Sequence, residues 1–191
     1  MKSAKEQLEY IKRGVADIVT EADLLKKLER STAKNKPLRI KLGIDPTAPE
    51  VHLGFTVPLR KLKQFQDLGH QVVIIIGSYT AMVGDPSGKN ATRPQLTHEA
   101  VMENSKNYQR QIFKILDKNK TEVVYNGDWF EKFTFNDVIK LASRITVASL
   151  LEHDYFAKRY SAGSPISLHE LIYPLMQGWD SVHIKADIEL G

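Results

Sequence analysis

Apolar positions in the first part of the chain recur at the spacing of amphipathic helices. Leu24, Leu25 and Leu28 fall on one face of a predicted helix. Two pairs have the spacing at which a residue caps a helix start, namely Ser3 with Glu6 and Thr20 with Asp23. The polar stretch STAKNKP at residues 31–37 predicts a linker. We therefore predict an N-terminal helical segment over residues 1–36.

From residue 37 the pattern changes to strands that alternate with helices. Residues 38–44 predict a strand, and the apolar run QVVIII at residues 71–76 predicts a second one, buried on both faces. Residues 55–68 carry apolar side chains at helical spacing. A strand, a helix and a strand within about 40 residues form a right-handed crossover. We therefore predict a Rossmann-like, doubly wound parallel α/β sheet over residues 37–191.

Later segments predict further helices and two short strands. The predicted helices cover residues 97–116, a segment opening at residue 134, residues 147–155 and residues 167–180, and the strands cover residues 122–125 and 186–190. Residues 77–94 indicate a long loop. Because the last strand reaches Gly191 with no closing element, we expect a domain that is incomplete at its C-terminal end.

Composition narrows the functional classes without selecting one. The 191 residues are 42% apolar, which is enough for a core, and the net charge of +4 names no partner. The chain has no cysteine, which excludes disulfides and thiolate metal sites. Its six histidines have no metal-ligand spacing, so we expect no metal site. Since the sequence shows neither a signal peptide nor a membrane-length apolar run, we expect a cytoplasmic protein with no membrane contact.

The motif GIDPTAPEVHLG at residues 43–54 joins the first predicted strand to the following helix. Ligands bind at the carboxyl ends of such strands, and the free N–H groups of a helix start favour an anion. Thr47 and His52 could donate hydrogen bonds to phosphate, and Gly54 would let a nucleotide approach the backbone. The alternative is a turn with a surface histidine.

The motif GDPSGK at residues 84–89 follows the buried strand, so it lies at the same edge of the sheet. Lys89 and Arg93 are cations suited to a developing phosphate charge, whereas Asp85 suits an ammonium group. A P-loop is excluded because Asn90 stands where Ser or Thr is required. The alternative is a solvated loop with a type I turn.

Three polar residues share one face of the last predicted helix. Tyr173, Gln177 and Asp180 are spaced by four and three positions, among apolar neighbours. Polar groups that converge on an otherwise apolar face indicate a site for a small polar ligand. The alternative is a solvent-facing stripe.

In this order the three motifs resemble those of tyrosyl-tRNA synthetases, which are class I aminoacyl-tRNA synthetases, over residues 38–191. LGIDPTAPEVHLG is similar to the signature loop of that family, GDPSGK with Arg93 to its phosphate loop, and YPLMQGWDS to its tyrosine-binding helix. The resemblance implies that L-tyrosine and ATP form tyrosyl-adenylate, that Mg²⁺ accompanies ATP, and that the tyrosyl group passes to tRNA(Tyr). It also implies that residues 37–191 are the first part of a nucleotide-binding catalytic domain. The full-length protein would be a homodimer, with residues 130–151 contributing to the contact.

The resemblance assigns a role to each matching position. Asp85, Tyr173 and Gln177 would hold the tyrosine ammonium, and Asp180 would bind the phenolic hydroxyl. Asp45, Thr47, His52 and Gly54 would line the ATP site, and Lys89 and Arg93 would close on the pyrophosphate. Thr47, His52, Lys89 and Arg93 would thus act in catalysis. No nucleophile is required, because the substrate carboxylate attacks ATP and the protein supplies position and charge.

Three positions depart from the family pattern. Phe55 stands where a second signature histidine is usual, Lys41 where many members have a tyrosine that contacts the substrate hydroxyl, and Trp179 where a tyrosine is usual. The family's later G-[ST]-D-Q and K-M-S-K-S segments have no counterpart here, so we expect an N-terminal fragment that does not charge tRNA alone. The alternatives are a tryptophanyl-type synthetase, a non-catalytic module derived from a synthetase, and an unrelated nucleotidylyltransferase.

Overall fold

A computed structural model describes residues 2–86 and 96–191 of the chain. The predicted Lys89 and Arg93 lie outside these residues. The described strands are β1 (Arg39–Ile44), β2 (Gln71–Ile76), β3 (Thr121–Tyr125) and β4 (Ile188–Glu189). The described α-helices are α1 (Ala4–Ile11), α2 (Glu21–Lys34), α3 (Thr56–Asp67), α4 (Thr80–Val83), α5 (His98–Ile112), α6 (Gly127–Phe130), α7 (Phe135–Ala142), α8 (Val147–Leu151), α9 (Asp154–Ser161) and α10 (Leu168–His183).

The four strands form one parallel sheet in the order β3-β2-β1-β4. β1 pairs with β2 along its whole length, from Arg39 opposite Gln71 to Ile44 opposite Ile76. The chain first builds outward from β1 to β3 and then returns to the other side of β1 to form β4. The order therefore reverses beside β1, which is the topological switch point of a doubly wound sheet. The predicted α/β fold class is confirmed.

The two faces of the sheet bury different clusters because successive strand residues point to opposite sides. Ile40, Leu42 and Ile44 of β1 face a cluster that includes residues of α1, α2, α3 and α5. Val73 and Ile75 of β2 face a second cluster, which α6 and α10 complete with Trp129, Phe130, Met176 and Ile184. On that second face β1 carries Lys41 and Gly43 instead of apolar side chains. The core is thus interrupted where β1 faces α10.

Some predicted boundaries are wrong. The predicted linker at residues 31–37 begins too early, because α2 continues to Lys34 and buries Ser31, whose hydroxyl donates to the Lys36 carbonyl. The helix predicted over residues 147–155 is two helices, α8 and α9, separated where His153 adopts an extended conformation. The helix predicted to end at residue 116 ends at Ile112, and the predicted loop contains α4.

Both predicted caps of the N-terminal helices are present. The Ser3 hydroxyl accepts from the Glu6 N–H, and the Thr20 hydroxyl accepts from the Asp23 N–H at 3.2 Å. Leu24 and Leu28 of α2 are buried in the cluster that also contains the β1 residues. The helical segment therefore packs directly on the sheet, and its boundary at residue 36 stays a prediction.

Candidate functional site

A cavity of about 450 Å³ opens at the carboxyl ends of β1 and β2, beside α10. All three predicted motifs contribute to its wall. Its lining includes the predicted residues Asp45, Thr47, His52, Asp85, Tyr173, Gln177 and Asp180. It also includes Lys41, Gly43, Phe55, Gly77, Thr80, Tyr108, Asn126 and Tyr155. Residues distant in sequence thus meet at the switch point, where ligands bind in sheets of this type.

The floor of the cavity follows from the alternation of β1. Lys41, Gly43 and Asp45 occupy every second position and therefore project to the same face. Gly43 is exposed although β1 is an internal strand, because that face borders the cavity. The absence of a side chain at Gly43 leaves open space between the ammonium of Lys41 and the carboxylate of Asp45.

Asp45 joins three elements through its two carboxylate oxygens. It accepts from the Tyr173 hydroxyl of α10 at 2.8 Å and from the Thr80 hydroxyl of α4 at 2.7 Å. A Cβ on Gly77 would lie 1.8 Å from the Asp45 Oδ1, so only glycine permits this arrangement. Burial, together with the nearby Asp45 and Asp85 carboxylates, raises the pKa of Tyr173 well above its usual range. Tyr173 therefore stays protonated and keeps donating to Asp45.

Asp180 is buried at the end of the cavity and is held by two donors. The Asn126 side-chain amide donates to it at 3.2 Å, and the Trp129 indole N–H donates at 3.0 Å. Burial raises the pKa of Asp180 to about 6, and these two hydrogen bonds and the charge of Lys41 oppose the rise. The result is a preorganised acceptor that is largely ionised at neutral pH.

Asn126 links the carboxylates of Asp180 and Asp45. Its amide also donates to the Thr80 hydroxyl at 3.0 Å, and that hydroxyl donates to Asp45. The Asn126 side-chain oxygen accepts from the Tyr79 N–H at 2.8 Å, so both ends of the amide are engaged. The chain of hydrogen bonds fixes the two carboxylates relative to each other before any ligand arrives.

His52 lies at the exposed rim of the cavity, just before α3. Its Nδ1 accepts from the Gly54 N–H at 3.1 Å, which places the proton of a neutral ring on Nε2. A Cβ on Gly54 would lie 2.9 Å from the His52 ring, so glycine preserves this contact. Phe55, which stands where the family usually has a histidine, packs against His52 with ring centroids 4.7 Å apart. Its ring also makes an edge contact with Tyr108, with centroids 6.2 Å apart.

Asp85 and Tyr155 contribute to the cavity from outside the β1 and α10 walls. Both residues line the cavity, and burial together with the charge of Asp85 raises the pKa of Tyr155. Asp85 also raises the pKa of Tyr173. The cavity therefore holds the carboxylates Asp45, Asp85 and Asp180 around two phenols that remain protonated.

The sequence of the chain matches a known protein family. The family model described as tRNA synthetases class I (W and Y) matches residues 33–191. The chain belongs to this family. The resemblance expected from the motifs is therefore confirmed at the level of the family.

Two curated relatives of this class I synthetase chain are both named tyrosine–tRNA ligase. The chain is 64% identical over 98% of its length to the tyrosine–tRNA ligase of Carboxydothermus hydrogenoformans. It is 59% identical over its full length to that of Bdellovibrio bacteriovorus. It covers 46% and 47% of these two proteins, so the chain spans about half the length of the curated relatives it matches.

Solved structures give the same fold assignment for the class I synthetase chain. The C-terminally truncated mitochondrial tyrosyl-tRNA synthetase of Aspergillus nidulans superposes with a TM-score of 0.82 at 25% identity. That match covers 100% of this chain and 57% of the fungal one. The tyrosyl-tRNA synthetase of Archaeoglobus fulgidus, complexed with L-tyrosine, gives a TM-score of 0.75 at 24% identity, covering 97% of this chain and 54% of the archaeal one.

Several residues that line or support the cavity are not among the predicted site residues, chiefly Thr80, Asn126, Trp129 and Tyr155. A signal for Asn126 was available, because it directly follows β3 and the carboxyl-end rule that selected Asp45 applies equally to it. Tyr155 lies on a helix with no distinctive spacing and reaches the cavity only through tertiary packing. Among the described residues, no group of three or more His, Asp or Glu side chains could hold a metal ion. No helix in the same part of the chain is long and apolar enough to cross a membrane.

Proposed function

We propose that the cavity binds L-tyrosine and ATP and that the protein containing this chain is a tyrosine–tRNA ligase. The tyrosine carboxylate attacks the α-phosphate of ATP, the bond to the leaving pyrophosphate breaks, and tyrosyl-adenylate forms. The tyrosyl group then passes to the terminal adenosine of tRNA(Tyr). The observation that carries the proposal is the buried, doubly hydrogen-bonded Asp180 at the end of a cavity of amino-acid size.

Residues of α10, together with Asp85, form a pocket for the amino acid. The Asp180 carboxylate accepts the phenolic O–H, since Asn126 and Trp129 leave some of its lone pairs unused. Asp85 neutralises the α-ammonium group. The Tyr173 oxygen accepts a hydrogen bond from the ammonium group while its own O–H keeps donating to Asp45, and the Gln177 amide oxygen accepts another ammonium hydrogen bond. The tyrosine is thereby oriented at both ends.

The rim beside α3 forms the ATP side. His52 donates from Nε2 to a phosphate oxygen, and Thr47 donates from its hydroxyl. Gly54 positions His52, and Phe55 offers an aromatic face where the family pattern has a histidine. Asp45 borders both halves of the cavity. Lys89 and Arg93 would supply positive charge to the pyrophosphate. Mg²⁺ would enter bound to the ATP phosphates, because this cation keeps several waters and is usually held by substrate phosphates with only one or two protein ligands.

Tyrosine-dependent exchange of labelled pyrophosphate into ATP tests the proposal, using the intact protein with any sequence beyond Gly191. We expect exchange with tyrosine and an about 100-fold or greater loss in Asp180→Asn, because a charge-assisted hydrogen bond is removed. Asp128→Asn, on the exposed side of α6, is the matched control and should retain exchange. Exchange with tryptophan instead would favour the tryptophanyl-type enzyme. Ligand binding without exchange would favour the non-catalytic module.

We further propose a homodimer, acting in the cytoplasm where tRNA is charged for translation. The dimer proposal is supported by an apolar groove of about 770 Å³ between α7 and α10. Phe133, Leu141, Ile145, Pro174, Leu175, Trp179 and Val182 are among the residues that line it. The Trp179 indole N–H is buried there without a hydrogen-bond partner among the described residues. A second copy covering the groove would bury these side chains.

A further inference from the structure

Two side chains of α5 hold the backbone of the loop that joins β1 to α3. This loop, residues 45–52 of the described part of the chain, contains no helix or strand. The Asn104 side-chain amide donates to the Pro46 carbonyl at 2.9 Å, and the Gln111 side-chain oxygen accepts from the Val51 N–H at 3.2 Å. Backbone groups outside helices and strands need partners of this kind. The two contacts therefore fix the loop near both of its ends.

The two contacts lie directly beside the groups that are proposed to donate to the ATP phosphates. Pro46 precedes Thr47, and Val51 precedes His52. Each donor side chain is carried by the backbone that α5 holds, so a shift of that backbone displaces the donor. Asp45, at the start of the loop, is held separately by the Thr80 and Tyr173 hydroxyls. The contacts from α5 therefore bear on the ATP side of the cavity.

The face of α5 that holds the loop is itself anchored in the core. Asn104, Tyr108 and Gln111 are spaced by four and three positions and share that face. Tyr108 is 2% exposed, belongs to the cluster that contains the β1 residues, and makes its edge contact with Phe55. The two amides thus flank a buried aromatic ring, which gives the loop a rigid support.

We propose that Asn104 and Gln111 are positioning residues for the reaction, Asn104 acting through Thr47 and Gln111 acting through His52. This rests on the proposed function. The described residues that line the cavity do not include Asn104 or Gln111, so each acts through the loop and not on the substrate. Donors stabilise a developing phosphate charge only when they are correctly placed, and a displacement of about 1 Å can cost about 100-fold in rate.

The test compares pyrophosphate exchange at varied ATP concentration with the dissociation constant of tyrosine, measured by calorimetry, on the intact protein. The variants are Asn104→Leu and Gln111→Met, which remove the amide groups and keep side chains of similar shape. Asn107→Leu is the matched control, because Asn107 lies on the same helix and accepts from Arg110 of that helix at 3.3 Å.

We expect Asn104→Leu and Gln111→Met each to lower kcat for exchange by about 10- to 100-fold, with tyrosine affinity changed by less than about twofold. Asn107→Leu should keep both values. Unchanged exchange in either variant would overturn the role of that residue. A parallel loss of tyrosine binding would also overturn it, because a general structural defect would then explain the result. Absence of tyrosine-dependent exchange in the unmodified protein would instead overturn the proposed function itself.

Double-mutant cycles test whether each amide acts through its neighbouring donor. Asn104→Leu is combined with Thr47→Ala, and Gln111→Met is combined with His52→Ala. A positioning residue has nothing left to position once its donor is gone, so each combination should lose little more exchange than the donor variant alone. Losses that multiply in full would overturn the proposed route from α5 to the donors.

Discussion

At the scale of single residues, burial and hydrogen bonding together bring the pKa of Asp180 close to physiological pH. Burial alone disfavours the ionised carboxylate, whereas Asn126, Trp129 and Lys41 favour it, and the balance leaves its pKa at about 6. The sequence predicted Asp180 from its spacing to Tyr173 and Gln177. It could not predict the pKa, because the opposing groups come from β1 and from the segment that follows β3.

The first prediction concerns the pH dependence of tyrosine binding. The pKa of Asp180 is raised to about 6, so the carboxylate proposed to accept the hydrogen bond of the phenol is mostly ionised above that pH and mostly protonated below it. Tyrosine affinity should therefore be constant above about pH 7 and fall by about tenfold per unit below pH 6. Calorimetry between pH 5 and pH 8 measures this, with phenylalanine as a ligand that lacks the hydroxyl and should show no such fall.

Two variants test whether Asp180 causes this fall in tyrosine affinity at low pH. Asp180→Asn should remove the pH dependence and leave weak binding throughout the range. His183 stacks, with ring centroids 4.3 Å apart, on Trp129, the indole that donates to Asp180, so His183→Gln is the control and should retain the fall in affinity. A fall in affinity that persists in Asp180→Asn and disappears in His183→Gln would contradict the assignment.

At the scale of elements, capping and burial explain both the successes and the errors of sequence reading. Helix starts were predictable, because Ser3, Thr20 and Thr134 cap their helices through local contacts. Helix ends were less so, since the continuation of α2 past Ser31 depends on burying that polar residue. The break between α8 and α9 likewise has no local Pro or Gly to mark it. Boundaries set by tertiary packing were therefore missed.

The second prediction concerns the ion pair that joins α9 to α10. Glu170 is 1% exposed, accepts from the Arg159 guanidinium through both of its oxygens, and also accepts from the Ser167 N–H at 2.9 Å. Glu170→Ala removes the carboxylate partner of Arg159, whose side chain is 21% exposed and keeps its hydrogen bond to the Pro165 carbonyl. We expect a loss of about 3 kcal/mol in the free energy of unfolding, measured by denaturant titration.

The matched control for Glu170 is a glutamate that pairs with a lysine on the surface. Lys106 and Glu103 lie 3.3 Å apart on α5 with both side chains largely exposed, so Glu103→Ala should cost less than about 1 kcal/mol. The hydrogen bonds from Arg159 lower the pKa of Glu170, so its contribution is present above the ordinary glutamate pKa and lost as pH falls through the lowered one. Equal losses for the two variants at pH 7 would refute the structural role of the pair.

At the scale of the whole molecule, the sheet order brings distant motifs together. The parallel sheet and its carboxyl-end site were predictable, because apolar runs and crossover lengths determine them. The sequence did not reveal that Lys41, Gly43 and Asp45 interrupt the apolar face of β1, although the alternation of a strand places them together. Nor could it show which apolar residues stay exposed. Phe135, Ile139 and Val182 do so on α7 and α10, outside the two buried clusters.

The last prediction concerns association through the groove between α7 and α10. Ile139 and Val182 are 52% and 64% exposed on these two helices, and Val182 lines the groove itself. A symmetric dimer places the same patch of each copy against the other, so one substitution introduces two charges into the contact. Sedimentation equilibrium of the intact protein should give a dimer, and Ile139→Glu or Val182→Glu should weaken it by about 100-fold or more, since each buried charge costs several kcal/mol.

The control for association is Val57→Glu on α3, where the valine is 67% exposed and distant in sequence from the groove. This variant carries the same change in charge and should remain dimeric. If all three variants dissociate equally, net charge rather than the groove controls association. If none dissociates, the dimer contact lies elsewhere, and the apolar surface of α7 and α10 requires a different partner. If only Ile139→Glu and Val182→Glu weaken the dimer, the apolar groove is the dimer contact. That contact would then also cover the Trp179 indole N–H, which has no hydrogen-bond partner among the described residues.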